Sequence, residues 1–131
     1  MSNRATGTFA MKSWDEKPYN EVEGELKMVR VSSVTSYAGE LEGQGALDYL
    51  MVYRPDGATF VGLERFVGKV GGVAGSFVLQ HDGVFAGGLR QNSKVIPGSG
   101  TGGLAGISGT MRFEGGEAQT VPTVFEYDLP G

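Results

Sequence analysis

The chain has no cysteine and only one histidine among its 131 residues. Without cysteine it has no disulfide framework and no thiolate metal site. A single imidazole leaves a histidine-based metal centre without its further ligands, so no metal is expected. Basic residues are also few: 11 Lys and Arg stand against 15 Asp and Glu, for a formal net charge of −4. They are scattered, whereas phosphate neutralisation needs clustered cations, so no nucleic-acid partner is expected. No apolar run approaches the roughly 18 residues of a membrane span, and Met1-Ser-Asn-Arg lacks a signal peptide's apolar core. The expected location is therefore cytoplasmic, with no membrane partner.

What the chain has in abundance is glycine, 23 residues spread without a collagen period. In a chain that is 40% hydrophobic and 20% charged, these read as turn and bulge positions of a folded, sheet-rich protein. Residues 1–131 make one domain with no linker. Ala5 to Trp14 reads as a first strand and the acidic Asp15 to Gly24, with Pro18, as a loop. Glu25 to Tyr37, rich in Val, Ser and Thr, is a long second strand. A turn over Gly39 to Gly43 leads to Gly45 to Arg54, which puts Leu47, Tyr49, Met51 and Tyr53 on one face. Pro55-Asp56-Gly57 is a turn signal. A hairpin over Phe60 to Phe85 follows, then strands over Gly87 to Val95, Gly106 to Glu114 and Thr120 to Asp128. About eight strands at regular spacing, with no convincing helix, predict an all-β fold, an antiparallel sandwich or barrel; the meander-like order and short turns favour a closed antiparallel β-barrel, which leaves no sheet edge.

The hairpin carries the chemistry. If Gly71-Gly72 is a two-residue turn, Gly62 lies opposite His81; a four-residue turn puts Glu64 opposite His81. Either way Phe60, Gly62, Glu64 and Phe66 share a face with Phe77, Leu79 and His81, while Val61, Leu63, Arg65 and Val67 share the other with Ser76, Val78 and Gln80. The aromatic face is expected to line the lumen. A carboxylate and an imidazole held together in apolar surroundings can pass a proton between them and act as general acid and base. Gly62 would leave room for a ligand. The opposing reading is a satisfied structural pair, with His81 at a strand end before the Asp82-Gly83 turn signal. Tyr49 and Tyr53 could extend an aromatic wall, although such spacing is more often ordinary core. Trp14 and Tyr19 could close a barrel mouth.

Three other patterns have stronger bland explanations. Gly98-Ser-Gly-Thr-Gly-Gly103 matches G-x-G-x-x-G but is followed by Leu-Ala-Gly-Ile-Ser-Gly, which cannot open the helix a pyrophosphate needs. Asp15, Glu16, Glu21 and Glu23 read as a solvated loop rather than a metal cluster. His81, Asp82 and a serine could be drawn as a triad, but no nucleophile elbow supports it.

Thr6-Gly-Thr-Phe, Lys12-Ser-Trp-Asp-Glu, Tyr37-Ala-Gly-Glu-Leu-Glu-Gly, Tyr49-Leu-Met-Val-Tyr-Arg, Phe60-Val-Gly-Leu-Glu-Arg, Gly75-Ser-Phe-Val-Leu-Gln-His and Pro97-Gly-Ser-Gly-Thr-Gly-Gly-Leu-Ala-Gly together resemble the bacterial DUF3224 family, over nearly the whole chain. That family is similar in fold to allene oxide cyclase, an eight-stranded barrel with a hydrophobic cavity. The related cyclases, and the barrel cyclases of spirotetronate biosynthesis, work without metal or cofactor. The resemblance supplies no one-for-one match between Glu64 or His81 and a cyclase's catalytic residues, and function carried over by fold alone is analogy.

The expected function is a cofactor-independent isomerase, cyclase or lyase acting on a small apolar molecule. Glu64 would be its acid/base group and His81 the proton partner, with Tyr49, Tyr53, Phe66, Phe77 and Gln80 contacting the ligand. The alternative is a non-catalytic carrier of a small hydrophobic ligand, and a third reading is a structural oligomer with a filled barrel. Val61, Leu63, Val67 and Val78 would form an exposed apolar patch, so a homo-oligomer is expected.

Overall fold

The computed structural model describes residues 3–115 and 120–130; Met1 and Ser2, at the start of the amino-terminal reading, lie outside them. Ten strands follow in order: β1 (Asn3–Met11), β2 (Asp15–Asn20), β3 (Met28–Gly39), β4 (Leu41–Arg54), β5 (Gly57–Val70), β6 (Val73–Phe85), β7 (Leu89–Val95), β8 (Thr101–Gly102), β9 (Ser108–Gly115) and β10 (Val121–Asp128). Neighbours pair in the order β1-β10-β9-β7-β6-β5-β4-β3, and β1 pairs back onto β3. Every pairing is antiparallel, so eight strands close into the expected barrel and their backbone groups find partners around the whole ring. β2 lies outside the ring as an extra strand on β3, and β8 attaches to β6. Among the described residues no helix is long and apolar enough to cross a membrane.

The central hairpin turns at Gly71-Gly72, with φ of 56° and 84°. Two successive positive φ values are what a two-residue hairpin loop of the right twist requires, and glycine reaches them without a Cβ penalty. Val70 therefore faces Val73, and Gly62 faces His81. The aromatic face points inward as expected: Phe60, Glu64, Phe66, Phe77, Leu79 and His81 are all buried.

The lumen is filled by pairing large side chains with small ones across strands. Tyr49 faces Gly62, Phe66 faces Gly45, and Phe60 faces both Met51 and Gly83. A Cβ on Gly62 would overlap the Tyr49 ring and the Asp48 carbonyl, and one on Gly45 would overlap the Glu64 carboxylate and the Thr35 hydroxyl. The room expected beside Gly62 is thus taken by Tyr49 and is not free for a ligand. Phe9, Tyr37, Phe66 and Phe113 meet edge to face, with ring centroids 5.0 to 6.4 Å apart, and Phe77, Phe125 and Tyr127 stack. The segment after β7 returns the buried Leu104 and Ile107 to the core, beside the end of the central hairpin where β8 meets Gly75 and Ser76.

Several strand boundaries shift from expectation, β3 for example running Met28–Gly39 rather than Glu25–Tyr37, and two differences are informative. The acidic stretch expected as a loop contains β2, because β3 offers it an open backbone edge along Met28–Ser32. Pro18 is tolerated there since an edge strand need not donate on both sides, and the register breaks between Pro18 and Asn20. β4 begins at Leu41 rather than Gly45 because the β3–β4 connection is shorter than the glycine-flanked segment suggested. On the outer face Leu50 pairs with Val61 beside Leu63, and these, with Val34 and Val67, are exposed apolar positions. Val78, expected among them, is half-buried, since the chain after β7 runs across it, with the Ile96 and Ser99 contacts to its backbone.

Gly45→Ala and Gly62→Ala are each expected to lower stability by about 1–3 kcal/mol through overpacking against neighbours that cannot retreat. Urea denaturation measures this, and an unchanged midpoint for both would contradict the filled lumen.

Candidate functional site

At mid-barrel, strand alternation brings polar residues from five strands to one level: Thr35 and Tyr37 from β3, Tyr49 from β4, Glu64 from β5, His81 from β6, and Gln91 and Ser93 from β7. All seven are buried. His81 Nε2–H donates to Glu64 Oε1 at 2.7 Å, the Tyr37 hydroxyl donates to the same oxygen at 2.9 Å, and the Thr35 hydroxyl donates to Glu64 Oε2. Three donors on two oxygens suit an ionised carboxylate. On the far side of the imidazole, Gln91 Nε2 donates to His81 Nδ1 at 3.0 Å, where the Ser93 hydroxyl also makes contact. The Tyr49 hydroxyl donates to Gln91 Oε1 at 2.6 Å. An acceptor role for Nδ1 assigns the ring proton to Nε2, so the network is self-consistent with a neutral His81. Among the described residues no buried side-chain polar atom lacks a partner.

Glu64 and His81 thus meet as expected, diagonally across the β5–β6 pair, and neither side chain is exposed to solvent. Burial first, and the Glu64 charge second, hold the Tyr37 and Tyr49 phenols well above their usual value of 10.0. Phe66 and Phe77 are fully buried core, with centroids 5.0 Å apart. Gln80, expected to contact the ligand, is exposed on the outer face with Lys94 and Thr110. Alternation along β6 requires this, because Gln80 lies one residue from His81. Asp82 points outward by the same rule, which separates the two residues of the paper triad. Gly98–Gly103 holds turn residues and the short strand β8, with no helix behind them. No group of three or more His, Cys, Asp or Glu among the described residues is placed to hold a metal.

A second feature lies at the end of the barrel opposite Leu104. Met11, Trp14, Met51, Tyr53, Arg54, Gly57, Ala58 and Phe85 line an open pocket of about 560 Å³. Its polar groups are already engaged. Arg54 Nη1 donates to Asp56 at 2.7 Å and Nε to Thr59 at 3.0 Å. Tyr53 and the Trp14 indole both donate to Glu16 Oε1, at 2.6 and 3.1 Å. Loss of solvent, then the hydrogen bond to Glu16 and its charge, push the Tyr53 phenol up to about 12. Of the residues expected to contact a ligand, Tyr53 alone lines this pocket. Met11, Ala58 and Phe85 were missed because each lies at a strand end, where alternation alone does not say what is covered. Phe60 packs against both Tyr49 and Phe85, at 4.4 and 5.2 Å, and so separates the pocket from the polar network.

Fold and interior define a class: a small, closed antiparallel barrel with a hydrogen-bonded lumen and an apolar mouth. The profile of the DUF3224 family, described as proteins of unknown function, matches residues 5–127. The chain belongs to that family. A 1.84 Å crystal structure of a protein with unknown function from the DUF3224 family, from Shewanella oneidensis MR-1, is similar to it, with a TM-score of 0.80 at 29% identity over 100% of both chains. No curated protein matches the chain.

Glu64→Gln replaces an acceptor oxygen with a donor amide that must face another donor. It is expected to cost about 2–4 kcal/mol of stability, and urea denaturation at wild-type stability would show that the network is not satisfied as described. The tyrosines predict an alkaline limit. A phenol whose folded value lies above 10.0 contributes stability that is intact below pH about 10 and is lost as pH rises through the folded value. Phenolate absorbance should show Tyr53 ionising near pH 12, with Tyr37 and Tyr49 silent until the barrel opens. Either of those two ionising near pH 10 in folded protein would contradict their burial.

Proposed function

We propose that the protein binds a small, uncharged apolar molecule in the mouth of its barrel, without turnover. The observation that carries this is the mouth pocket itself, walled by Met11, Trp14, Met51, Tyr53, Ala58 and Phe85. Thioethers and aromatic rings suit a flat or conjugated ligand through dispersion and ring contacts. Its volume falls in the range of small-molecule sites. Arg54 is neutralised by Asp56, and Glu16 is taken up by Tyr53 and Trp14, so a charged ligand would displace existing hydrogen bonds.

The catalytic reading drawn from Glu64 and His81, by analogy with cofactor-free cyclases, receives less support. Every polar atom of the pair is satisfied by protein, and Phe60 stands between it and the pocket. Self-association is proposed through the outer face of β4 and β5, where Leu50, Val61 and Leu63 are about half exposed and adjacent. Light scattering would show an oligomer that Leu63→Lys weakens; a strict monomer would contradict it.

Trp14 is the only tryptophan, so its fluorescence reports on the pocket alone. The neutral probe N-phenyl-1-naphthylamine is expected to bind and change Trp14 emission. Its sulfonated analogue, 8-anilinonaphthalene-1-sulfonate, should affect Trp14 at least about tenfold more weakly. Ala58→Trp should block the probe by filling the pocket, read by the probe's own fluorescence, whereas Glu64→Gln should leave its affinity within about threefold. Probe affinity unchanged in Ala58→Trp would exclude the mouth as the site.

A further inference from the structure

We infer that the segment from Trp14 through β2 is a hinged strap at the rim of the mouth pocket and that Glu16 is its latch, a positioning residue that governs how fast ligand enters and leaves. This rests on the mouth being the binding site.

The chain is fixed firmly just before the strap. Lys12 N–H donates to the Val34 carbonyl at 2.7 Å, Val34 N–H donates to Ser13 Oγ at 2.8 Å, and the Ser33 hydroxyl donates to the Ser13 carbonyl at 2.5 Å. Ser13 is thus pinned to β3 from both its backbone and its side chain. Trp14 follows at once and forms one wall of the pocket.

Beyond Trp14 the attachment is light. β2 pairs with β3 alone, on one edge, and loses register after Pro18. It contributes no residue to the buried core, and Trp14, Asp15, Lys17, Pro18 and Tyr19 are all exposed. The exception is Glu16, which is half-buried. Its Oε1 accepts from Trp14 on the strap side and from Tyr53 on the barrel side. One oxygen therefore ties the movable wall of the pocket to the fixed one. An edge strand with few buried apolar contacts, paired on one side and tethered to the barrel through Glu16, opens at lower free energy than the barrel it lies on, and such segments commonly set exchange rates at binding sites. The tether is placed where opening would lift Trp14 away from Met11 and Tyr53 and widen the mouth.

Stopped-flow mixing with N-phenyl-1-naphthylamine, followed through Trp14, tests this on the full chain. Glu16→Ala removes both hydrogen bonds and is expected to raise the association and dissociation rates together, each by about tenfold, with the equilibrium affinity changed less than about threefold. Glu16→Gln keeps an acceptor oxygen and should return both rates towards wild type. The cysteine-free background permits the converse: Lys17 and Arg30 face each other across β2 and β3, so Lys17→Cys with Arg30→Cys, once oxidised, should slow exchange about tenfold and recover on reduction. Unchanged rates in Glu16→Ala, or an oxidised pair that exchanges at the wild-type rate, would overturn the latch. A faster dissociation with unaltered association would make Glu16 a simple wall contact and would also overturn it. Failure of the probe to bind wild-type protein is a different result, since it removes the site rather than the strap.

Discussion

A carboxylate at the centre of a closed barrel is the constraint on which this structure depends. Glu64 has no solvent to hydrate it, and an unpaired buried charge would cost several kcal/mol. Its three donors come from two other strands, Thr35 and Tyr37 on β3 and His81 on β6. Each arrives only if β3, β4, β5 and β6 hold one register. A slip of one residue on any of them would turn a donor outward and strand the charge. The network continues through Gln91 to Tyr49, so five consecutive strands of the ring are tied at one level. Register specificity and polar satisfaction are here the same requirement.

The rest of the lumen follows from that level. Towards the hairpin turn, Phe77, Phe125 and Tyr127 stack, and Leu104 and Ile107 are returned to the core near that end. Above the polar level, Phe60 packs between Tyr49 and Phe85, and only beyond it does the interior open. Polar chemistry and accessible apolar space are therefore segregated along one axis. That segregation is the basis for reading Glu64 and His81 as architecture and for proposing the mouth as the binding site. The DUF3224 relative of known structure keeps the same fold at 29% identity over its whole length.

The barrel was legible in the sequence because alternation survives along β4, β5 and β6, and Gly71-Gly72 can turn in few ways. Parity alone put Glu64 and His81 on one face of the hairpin; that this face points inward was an expectation from its aromatic residues, and the structure bears it out. Parity could not say whether the space beside them was empty. That depends on Tyr49, three strands' worth of packing, and on donors such as Thr35, Tyr37, Gln91 and Ser93, which come from strands distant in sequence. Gln80 shows the opposite case: its place on the outer face was already implied by its spacing from His81, and its assignment to the ligand conflicted with that spacing. The mouth was the least legible part. Its walls come from strand ends and from Trp14, just ahead of β2, an edge strand whose acidic, proline-containing sequence carries no strand signal of its own. Trp14 alone hinted at it.

The division between a structural pair and a binding mouth can be read in one experiment, because the chain has a single histidine and a single tryptophan. Side-chain nitrogen-15 spectra recorded during titration with N-phenyl-1-naphthylamine place one reporter at each level. The account predicts that the Trp14 indole resonance moves to saturation while both His81 ring nitrogens keep their shifts and the neutral Nε2–H tautomer. A His81 ring that responds to the probe as strongly as Trp14 would contradict it, and would bring the ligand to the Glu64 carboxylate.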